Sequence, residues 1–152
     1  MDNLKNTLFS EYNLNGLSLK NRIVMAPMTR NFSPNGVPAD YAPTYYSKRA
    51  AGGVGLIMTE GVEVSHPSSS GYPDCPKLDS DEAKRMWEKV VSEVHGNGSA
   101  IFCQLWHVGG IRKLGMPPLP EIPGFTPSGY VKPGKKVAYE MTLEDIQELV
   151  QV

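Results

Sequence analysis

Cysteine is scarce in this sequence, and its scarcity narrows the class of protein. Cys75 and Cys103 are the only cysteines; they lie far apart and form no CxxC motif. A small secreted domain held together by disulfides would carry more of them. We therefore expect both thiols to be free, and we assign no metal site.

An excess of charge and long apolar runs are also missing. The 15 basic and 16 acidic residues leave a formal net charge of -1, whereas a dedicated nucleic-acid binder normally shows a basic patch or a high pI. No apolar run approaches the length that spans a bilayer. The start, Met1 to Tyr12, is polar and lacks the apolar core of a signal peptide. We expect a cytoplasmic protein with no nucleic-acid or membrane partner.

The most informative stretch that is present runs from Ile23 to Arg30, IVMAPMTR. Its short, unbroken apolar run predicts a strand buried on both faces, as in a parallel sheet. Pro27 has no N–H to donate to a ladder and therefore marks the strand's end. Met28, Thr29 and Arg30 then follow the carboxyl end of a strand, which is where α/β folds bind ligands. An ordinary strand followed by an ordinary loop is the alternative.

The strand and helix patterns then alternate along the chain, with short connections. This order favours right-handed βαβ units with parallel strands. The expected elements are a helix from about Tyr41 to Ala51 with Asp40 as its N-cap, a strand from Val54 to Met58 that ends at Thr59, Glu60 and Gly61, a helix from Ser80 or Asp81 to roughly Val94, and a strand from Ala100 to Trp106.

A small β-hairpin is predicted before the first buried strand, from Leu8 to Leu19. Asn15-Gly16 is a strong signal for a type I′ turn, because both central residues of that turn need positive φ. The hairpin could close the bottom of a barrel, or it could be a loose N-terminal arm.

Gln104 is an unusual residue within the third predicted strand. A buried amide needs hydrogen-bond partners for both its oxygen and its NH₂ group. Gln104 could therefore bond neighbouring backbone, or it could face a polar ligand at the strand's carboxyl end. The residues alone leave both interpretations open.

The segment from Val108 to Glu140 is long, irregular and rich in proline and glycine. A structureless loop of this length is usually functional or disordered, and at a barrel's carboxyl face it would be a lid or a pocket wall. A further helix is predicted to begin near Met141. Thr142 and Asp145 there form a variant of the capping box with the shorter acid.

Three parallel strands cannot complete a barrel, which takes eight strands and roughly 250 residues. A three-stranded parallel sheet would also leave edges and an apolar face exposed. The fold is therefore either small and open or part of something larger.

The whole chain resembles the N-terminal part of the Old Yellow Enzyme family of FMN-dependent ene-reductases, and looks closest to its NADH:flavin oxidoreductase and oxophytodienoate reductase-like members. The motifs that carry the resemblance are NGLSLKNRIVMAPMTR, GGVGLIMTEGVEVS, GYPD, VHGNGSAIFCQLWHVG and the PSG-to-PGKK loop. The resemblance implies an α/β fold. Residues 1–152 would be the N-terminal portion of a (β/α)8 TIM barrel, with the hairpin of residues 8–19, about three barrel strands and the long loop of residues 108–140.

The resemblance also implies cofactors and site residues. FMN would be the cofactor, NAD(P)H the reductant and an activated alkene the substrate. Pro27, Met28 and Thr29 match the family's flavin loop, with the Thr29 hydroxyl on the flavin O4. Gly61 matches a backbone contact to the ring edge, and Gln104 matches the amide that bonds the pyrimidine ring. In addition, Trp106 matches a wall of the substrate pocket.

Other family features have no counterpart in this sequence. The histidine-containing pair that anchors the substrate carbonyl, the proton-donating tyrosine and the phosphate site all belong to later strands. We assign no catalytic residue, and His66, His95 and His107 are not expected to replace the missing ones. Gly110 stands where many relatives have arginine, which removes one polar pocket contact.

Three hypotheses follow from the missing strands. The chain could be part of an ene-reductase that is inactive alone and pairs with a chain supplying the rest of the barrel. It could be a truncated, catalytically dead product. It could also be a non-catalytic α/β module that acts by protein association.

Overall fold

The computed structural model describes residues 6–151. Strands β1 (Tyr12–Leu14) and β2 (Leu17–Leu19) form the predicted antiparallel hairpin. Its turn residues have positive φ, 48° at Asn15 and 94° at Gly16, as a type I′ turn requires.

The hairpin is tied to the bottom of the parallel sheet. Just after it, the Nζ of Lys20 donates to the carbonyl oxygens of Ala50 at 3.3 Å and Asn97 at 3.2 Å. Ala50 lies in the last turn of one helix and Asn97 at the C-cap of another, and each helix leads into a strand of the parallel sheet. The chain just after the hairpin is therefore fixed at the end of the sheet opposite the strands' carboxyl ends.

The central sheet has three parallel strands in the order β3 (Val24–Met25), β4 (Leu56–Glu63) and β5 (Ala100–Trp106). The third strand has the predicted bounds. The second is longer than expected, because it continues through Thr59, Glu60 and Gly61 to Glu63.

Helix α1 (Ala42–Ala51) and helix α2 (Asp81–Gly96) connect these strands. Ser80 caps α2 as predicted, since its side chain accepts the N–H of Ala83 at 3.1 Å. Helix α1 lies where it was predicted, but Asp40 is not its cap: Tyr41 occupies the N-cap position, and no side chain caps the helix. Pro43 lies in the first turn of α1, where its fixed φ already suits a helix start.

The core lies between the two helices and one face of the sheet. Its buried members are Ala42, Tyr46, Ala50, Ile57, Val62, Trp87, Val90 and Val94. Strands β3 and β5 are not buried on both faces as expected: Val24 is 50% exposed, Phe102 43% and Leu105 68%. Only β4, which has a neighbour on each side, matches the doubly buried prediction.

The segment from Val108 to Glu140 is not the structureless loop that was expected. It contains β6 (Phe125–Thr126) paired with β9 (Tyr139–Glu140), and β7 (Tyr130–Lys132) paired with β8 (Lys135–Lys136). Strands β7 and β8 form a local hairpin, whereas β6 and β9 pair around it, and no local sequence pattern predicts that outer pairing.

Helix α3 (Leu143–Gln151) closes the described chain. The predicted capping box is confirmed: Thr142 Oγ1 accepts the Asp145 N–H at 3.1 Å, and Asp145 Oδ2 accepts the Thr142 N–H at 2.7 Å. The thiols of Cys75 and Cys103 are both free, as predicted. Within residues 6–151, no helix is long and apolar enough to cross a membrane.

Candidate functional site

A β-bulge near the carboxyl end of β4 shapes the candidate site. Met58 pairs with Phe102 but Gly61 pairs with Gln104, so β4 carries one extra residue relative to β5. The hydroxyl of Thr59 accepts the backbone N–H of Gln104 at 3.0 Å and so satisfies a donor that the interrupted ladder leaves free. Bulges of this kind redirect side chains next to active sites. Here the bulge places Gly61 directly beside Gln104.

The loop after β3 is anchored to this bulge through Arg30. Its backbone N–H donates to Oε2 of Glu60 at 3.3 Å, and its Nε donates to Oε1 at 2.8 Å. Its Nη2 also contacts Oε1. Thr29 directly precedes Arg30, and Gly61 directly follows Glu60. The ion pair therefore fixes the loop that carries Thr29 to the strand that carries Gly61.

The ion pair lies in a protected environment. The side chain of Arg30 is 8% exposed and that of Glu60 is 0% exposed. The Arg30 guanidinium lies 4.1 Å from the ring centre of Tyr45. Burial acts to lower the pKa of Arg30, but the hydrogen bond and charge of Glu60 outweigh it, so the pKa is raised. The arginine stays charged, as a positioning group for the loop requires.

Tyr46 completes the support of Glu60 from the core side. Its hydroxyl accepts the Glu60 N–H at 3.0 Å and donates to Oε1 at 3.3 Å. Burial raises the pKa of Tyr46, and the Glu60 charge adds to the rise. The phenol therefore remains protonated and able to donate.

The residues implied to face the cofactor present free polar groups. Pro27, Met28 and Thr29 are exposed, and Gln104 is half-buried. Within residues 6–151, the Thr29 hydroxyl and the Gln104 side-chain amide have no hydrogen-bond partner. A hydroxyl after β3 and an amide near the end of β5, with β4 between the two strands, can bond the polar edge of a planar ring.

Trp106 lies over Gly61 at the end of β5. A Cβ added to Gly61 would approach Cε3 of the Trp106 ring to 2.0 Å, so only glycine leaves room for the indole there. Tyr72 stacks on Trp106 with ring centres 5.4 Å apart. Sequence reasoning placed Trp106 at the pocket but missed Tyr72, although the GYPD motif contains it.

A hydrogen-bond chain joins two histidines that sequence reasoning left apart. His107 Nδ1 accepts the Gly109 N–H at 3.0 Å, so its proton lies on Nε2, which donates to Ser68 Oγ at 2.8 Å. The Ser68 hydroxyl donates in turn to His66 Nδ1 at 2.8 Å. Burial lowers the pKa of His107, and the charge of His66 adds to the effect. Neither histidine belongs to the group around Gln104.

Arg112 is a buried structural residue, 1% exposed, that no sequence pattern predicted. Its side chain donates to four carbonyl oxygens, those of Ser70, Met116, Leu119 and Ile122. It thereby fastens the segment after β5 to the loop after β4. Arg112 belongs to the long, irregular segment after Trp106, and nothing in the sequence of that segment predicts that an arginine is buried there.

Comparison with known proteins agrees with this geometry. Residues 7–152 match the model of the NADH:flavin oxidoreductase / NADH oxidase family. The 12-oxophytodienoate reductase 7 of Oryza sativa subsp. japonica is 44% identical over 102 residues, which are 67% of this chain and 25% of that protein. The 12-oxophytodienoate reductase 2 of Arabidopsis thaliana is 37% identical over 76% of this chain and 30% of its own length.

Solved structures give the same result at the level of the fold. Morphinone reductase superposes with a TM-score of 0.81 and 32% identity, over 95% of this chain and 42% of that one. The old yellow enzyme homologue from Zymomonas mobilis gives a TM-score of 0.79 and 31% identity, over the same shares of each chain. The predicted fold is confirmed: this chain has the α/β structure of the N-terminal portion of such a TIM barrel, without a closed barrel. It spans well under half the length of these relatives.

Proposed function

This chain belongs to the NADH:flavin oxidoreductase / NADH oxidase family, and from that premise we propose that it is the N-terminal part of an FMN-dependent ene-reductase of the Old Yellow Enzyme type. The observation that carries the proposal is the pair of unpartnered polar groups, the Thr29 hydroxyl and the Gln104 amide. They lie toward the carboxyl ends of β3 and β5, on either side of β4. Glu60 of β4 anchors the loop of Thr29, and the β4 bulge sets the register of Gln104.

The residues present fit one part of FMN, its ring. Donors and an acceptor at the carboxyl ends of parallel strands suit the polar edge of an isoalloxazine. FMN, when bound, would carry a hydride from NAD(P)H to an activated alkene. The chain's own contribution would be to orient the ring, with Thr29 and Gln104 donating to its polar edge and so tuning its reduction potential.

The substrate pocket would receive one wall from this chain. Trp106, stacked on Tyr72, presents a flat apolar surface beside Gly61. Such a surface excludes water and restricts the pose of an alkene that lies over the flavin. We assign no proton donor and no carbonyl anchor to residues 1–152.

We further propose that residues 1–152 alone do not catalyse alkene reduction and that a chain supplying the remaining strands completes the site. The share of the neighbours' length that is matched, 42%, supports this. In TIM barrels a phosphate site is frequently built by the loops after strands seven and eight, and this chain accounts for the first three strands. The two free thiols support a location in the reducing cytoplasm.

The proposal makes a specific statement about ligand preference. If residues 1–152 contact only the ring, they will bind riboflavin and FMN with the same weak affinity, measured by quenching of flavin fluorescence. The complete protein will prefer FMN because it adds the phosphate contacts. A tenfold preference of residues 1–152 for FMN over riboflavin would contradict the proposal that these residues contact only the ring and that the phosphate is bound elsewhere. Failure of the complete protein to bind either flavin would contradict the proposed function.

A second candidate function is association with another protein through the unfinished sheet. Phe102 and Leu105 on β5 are exposed, and β5 has no partner on its outer edge within residues 6–151. Exposed strand edges pair readily with other chains. A colourless protein that forms a stable complex and binds no flavin, alone or in that complex, would favour this function.

A further inference from the structure

A second cavity lies beside the candidate flavin site, and the proposed function makes no use of it. It has a volume of about 500 Å³ and lies between the carboxyl end of β4, the loop of residues 70–77 and the prolines of residues 117–118. This volume is within the range of small-molecule sites.

Glu63 is the unusual residue of this cavity. It is the last residue of β4 and lines the cavity, yet it is only 3% exposed. Its Oε1 is buried and has no hydrogen-bond partner within residues 6–151. The Ser70 side chain and the Gly71 backbone form hydrogen bonds with the carboxyl group, but a buried carboxylate oxygen without a partner is costly and is normally satisfied by a donor. Oε1 of Glu63 is therefore an available hydrogen-bond acceptor at the wall of the cavity.

The other lining groups indicate what kind of donor would fit. Tyr72, Pro117 and Pro118 supply apolar surface, which suits an alkyl chain. Lys77 is the cation of the lining, and its charge works to lower the pKa of Glu63 against the larger, opposite effect of burial. No salt bridge joins the two residues, although both are described, so Oε1 stays available.

Two alternative occupants fit less well. Within residues 6–151 no group of three histidine, cysteine or acidic side chains could hold a metal ion. Cys75 also lines the cavity, but burial, together with the charges of Glu63 and Glu60, raises its pKa to about 12. That thiol is therefore uncharged and unreactive. Asp74 also lines the cavity but is exposed, so Glu63 is the buried acidic residue of the lining.

We propose that this cavity binds a small organic ammonium ion, with its N–H groups on the Glu63 carboxylate and its alkyl part against the tyrosine and proline surfaces. An ammonium supplies the donor that Oε1 lacks and a positive charge that no salt bridge gives Glu63 within residues 6–151. The site does not depend on flavin and can be tested on residues 1–152 as they are.

The test uses n-butylammonium as the probe, with 1-butanol and butyrate as neutral and anionic controls of the same length. Binding is measured by calorimetry. We expect n-butylammonium to bind and both controls to bind at least tenfold more weakly. Glu63→Gln, which keeps the shape, should weaken ammonium binding at least tenfold, whereas Glu82→Gln on the exposed start of α2 should leave it unchanged. Lys77→Met should strengthen it, because a competing cation is removed.

Several results would overturn the proposal. Equal binding of butanol, or unchanged binding in Glu63→Gln, would show that the carboxylate does not recognise the ligand. Binding of butyrate that is lost in Lys77→Met would identify an anion site instead. No binding of any probe would mean that the cavity holds water only. Circular dichroism will show whether Glu63→Gln folds. If it does not, the proposal is tested on proteins that keep Glu63, by comparing the three probes and by measuring n-butylammonium binding to Lys77→Met.

Discussion

Arg30 and Glu60 form a buried ion pair that joins the loop after β3 to the bulge in β4. The pair lies just below the polar groups that would face a flavin. Glu60 also bonds Tyr46 of α1, so one carboxylate connects two strands and a helix. The Nη1 atom of Arg30 is buried and has no partner within the described chain, which leaves the guanidinium dependent on Glu60.

We expect Glu60→Gln to destabilise the protein strongly. The substitution leaves the buried Arg30 charge without its counterion, a change that costs about 3–5 kcal/mol of unfolding free energy. Urea denaturation measures the effect. Lys84→Met is the matched control, because its ion pair with Asp81 is exposed at 3.9 Å and such pairs contribute about 0–1 kcal/mol. Similar losses in both variants would show that the buried pair has no special role.

We expect Thr29→Ala to lower the flavin midpoint potential in a complete version of the protein. One donor to the flavin O4 is lost, and a hydrogen bond to a charged group contributes about 1.5–3 kcal/mol, of which only the difference between redox states changes the potential. Thr29→Ser keeps the hydroxyl and should retain most of the original value. A redox titration measures all three proteins. An unchanged midpoint in Thr29→Ala would remove Thr29 from the site.

The Gln104→Leu substitution separates a functional from a structural amide. The side-chain amide makes no hydrogen bond within residues 6–151, so its loss should leave the unfolding free energy nearly unchanged. We expect FMN retention by the complete protein to weaken clearly, as judged by equilibrium dialysis. A variant that unfolds, while its folded fraction binds FMN normally, would show that Gln104 serves the fold alone.

The elements that the sequence predicted well are those set by residues within a few positions of one another. The Asn15-Gly16 turn, the Ser80 cap and the box of Thr142 and Asp145 are local hydrogen-bond patterns, and all three are confirmed. The Asp40 cap failed because a proline in the first turn can start a helix without any capping side chain.

The features that sequence reasoning missed depend on distant partners. The bulge that extends β4 is visible only against β5. The Arg112 side chain reaches the Ser70 carbonyl, 42 residues earlier in the sequence. The hydrogen bond between His107 and Ser68 joins residues that are 39 positions apart. The resemblance supplied Thr29 and Gln104, but it gave no contact for Arg30, which the folded chain pairs with Glu60.

The histidine chain predicts a dependence of stability on pH. Because the folded protein lowers the pKa of His107, the unfolded chain binds more protons when the pH falls below the ordinary histidine pKa of about 6.5. The unfolding free energy should therefore fall as the pH drops from about 6.5 toward the folded-state pKa. His107→Gln should reduce this dependence, whereas His95→Gln, at an exposed position on α2, should not. Identical pH profiles for His107→Gln and the original protein would contradict the contribution of His107.

The last prediction concerns catalysis by the chain alone. Residues 1–152 supply ring contacts through Thr29 and Gln104 and a pocket wall through Trp106, but we assign them no phosphate site, substrate anchor or proton donor. Charge-assisted bonds to a phosphate are about twice as strong as neutral ones, and each loss of about 1.4 kcal/mol weakens binding tenfold. We expect negligible reduction of cyclohexenone in the presence of FMN and NADPH, followed as oxidation at the nicotinamide band. Activity should appear when a chain that supplies the remaining strands is added, and Glu60→Gln, which weakens the anchor of the Thr29 loop, should reduce it. Sustained, flavin-dependent enone reduction by residues 1–152 alone would mean that the catalytic groups lie within these residues after all.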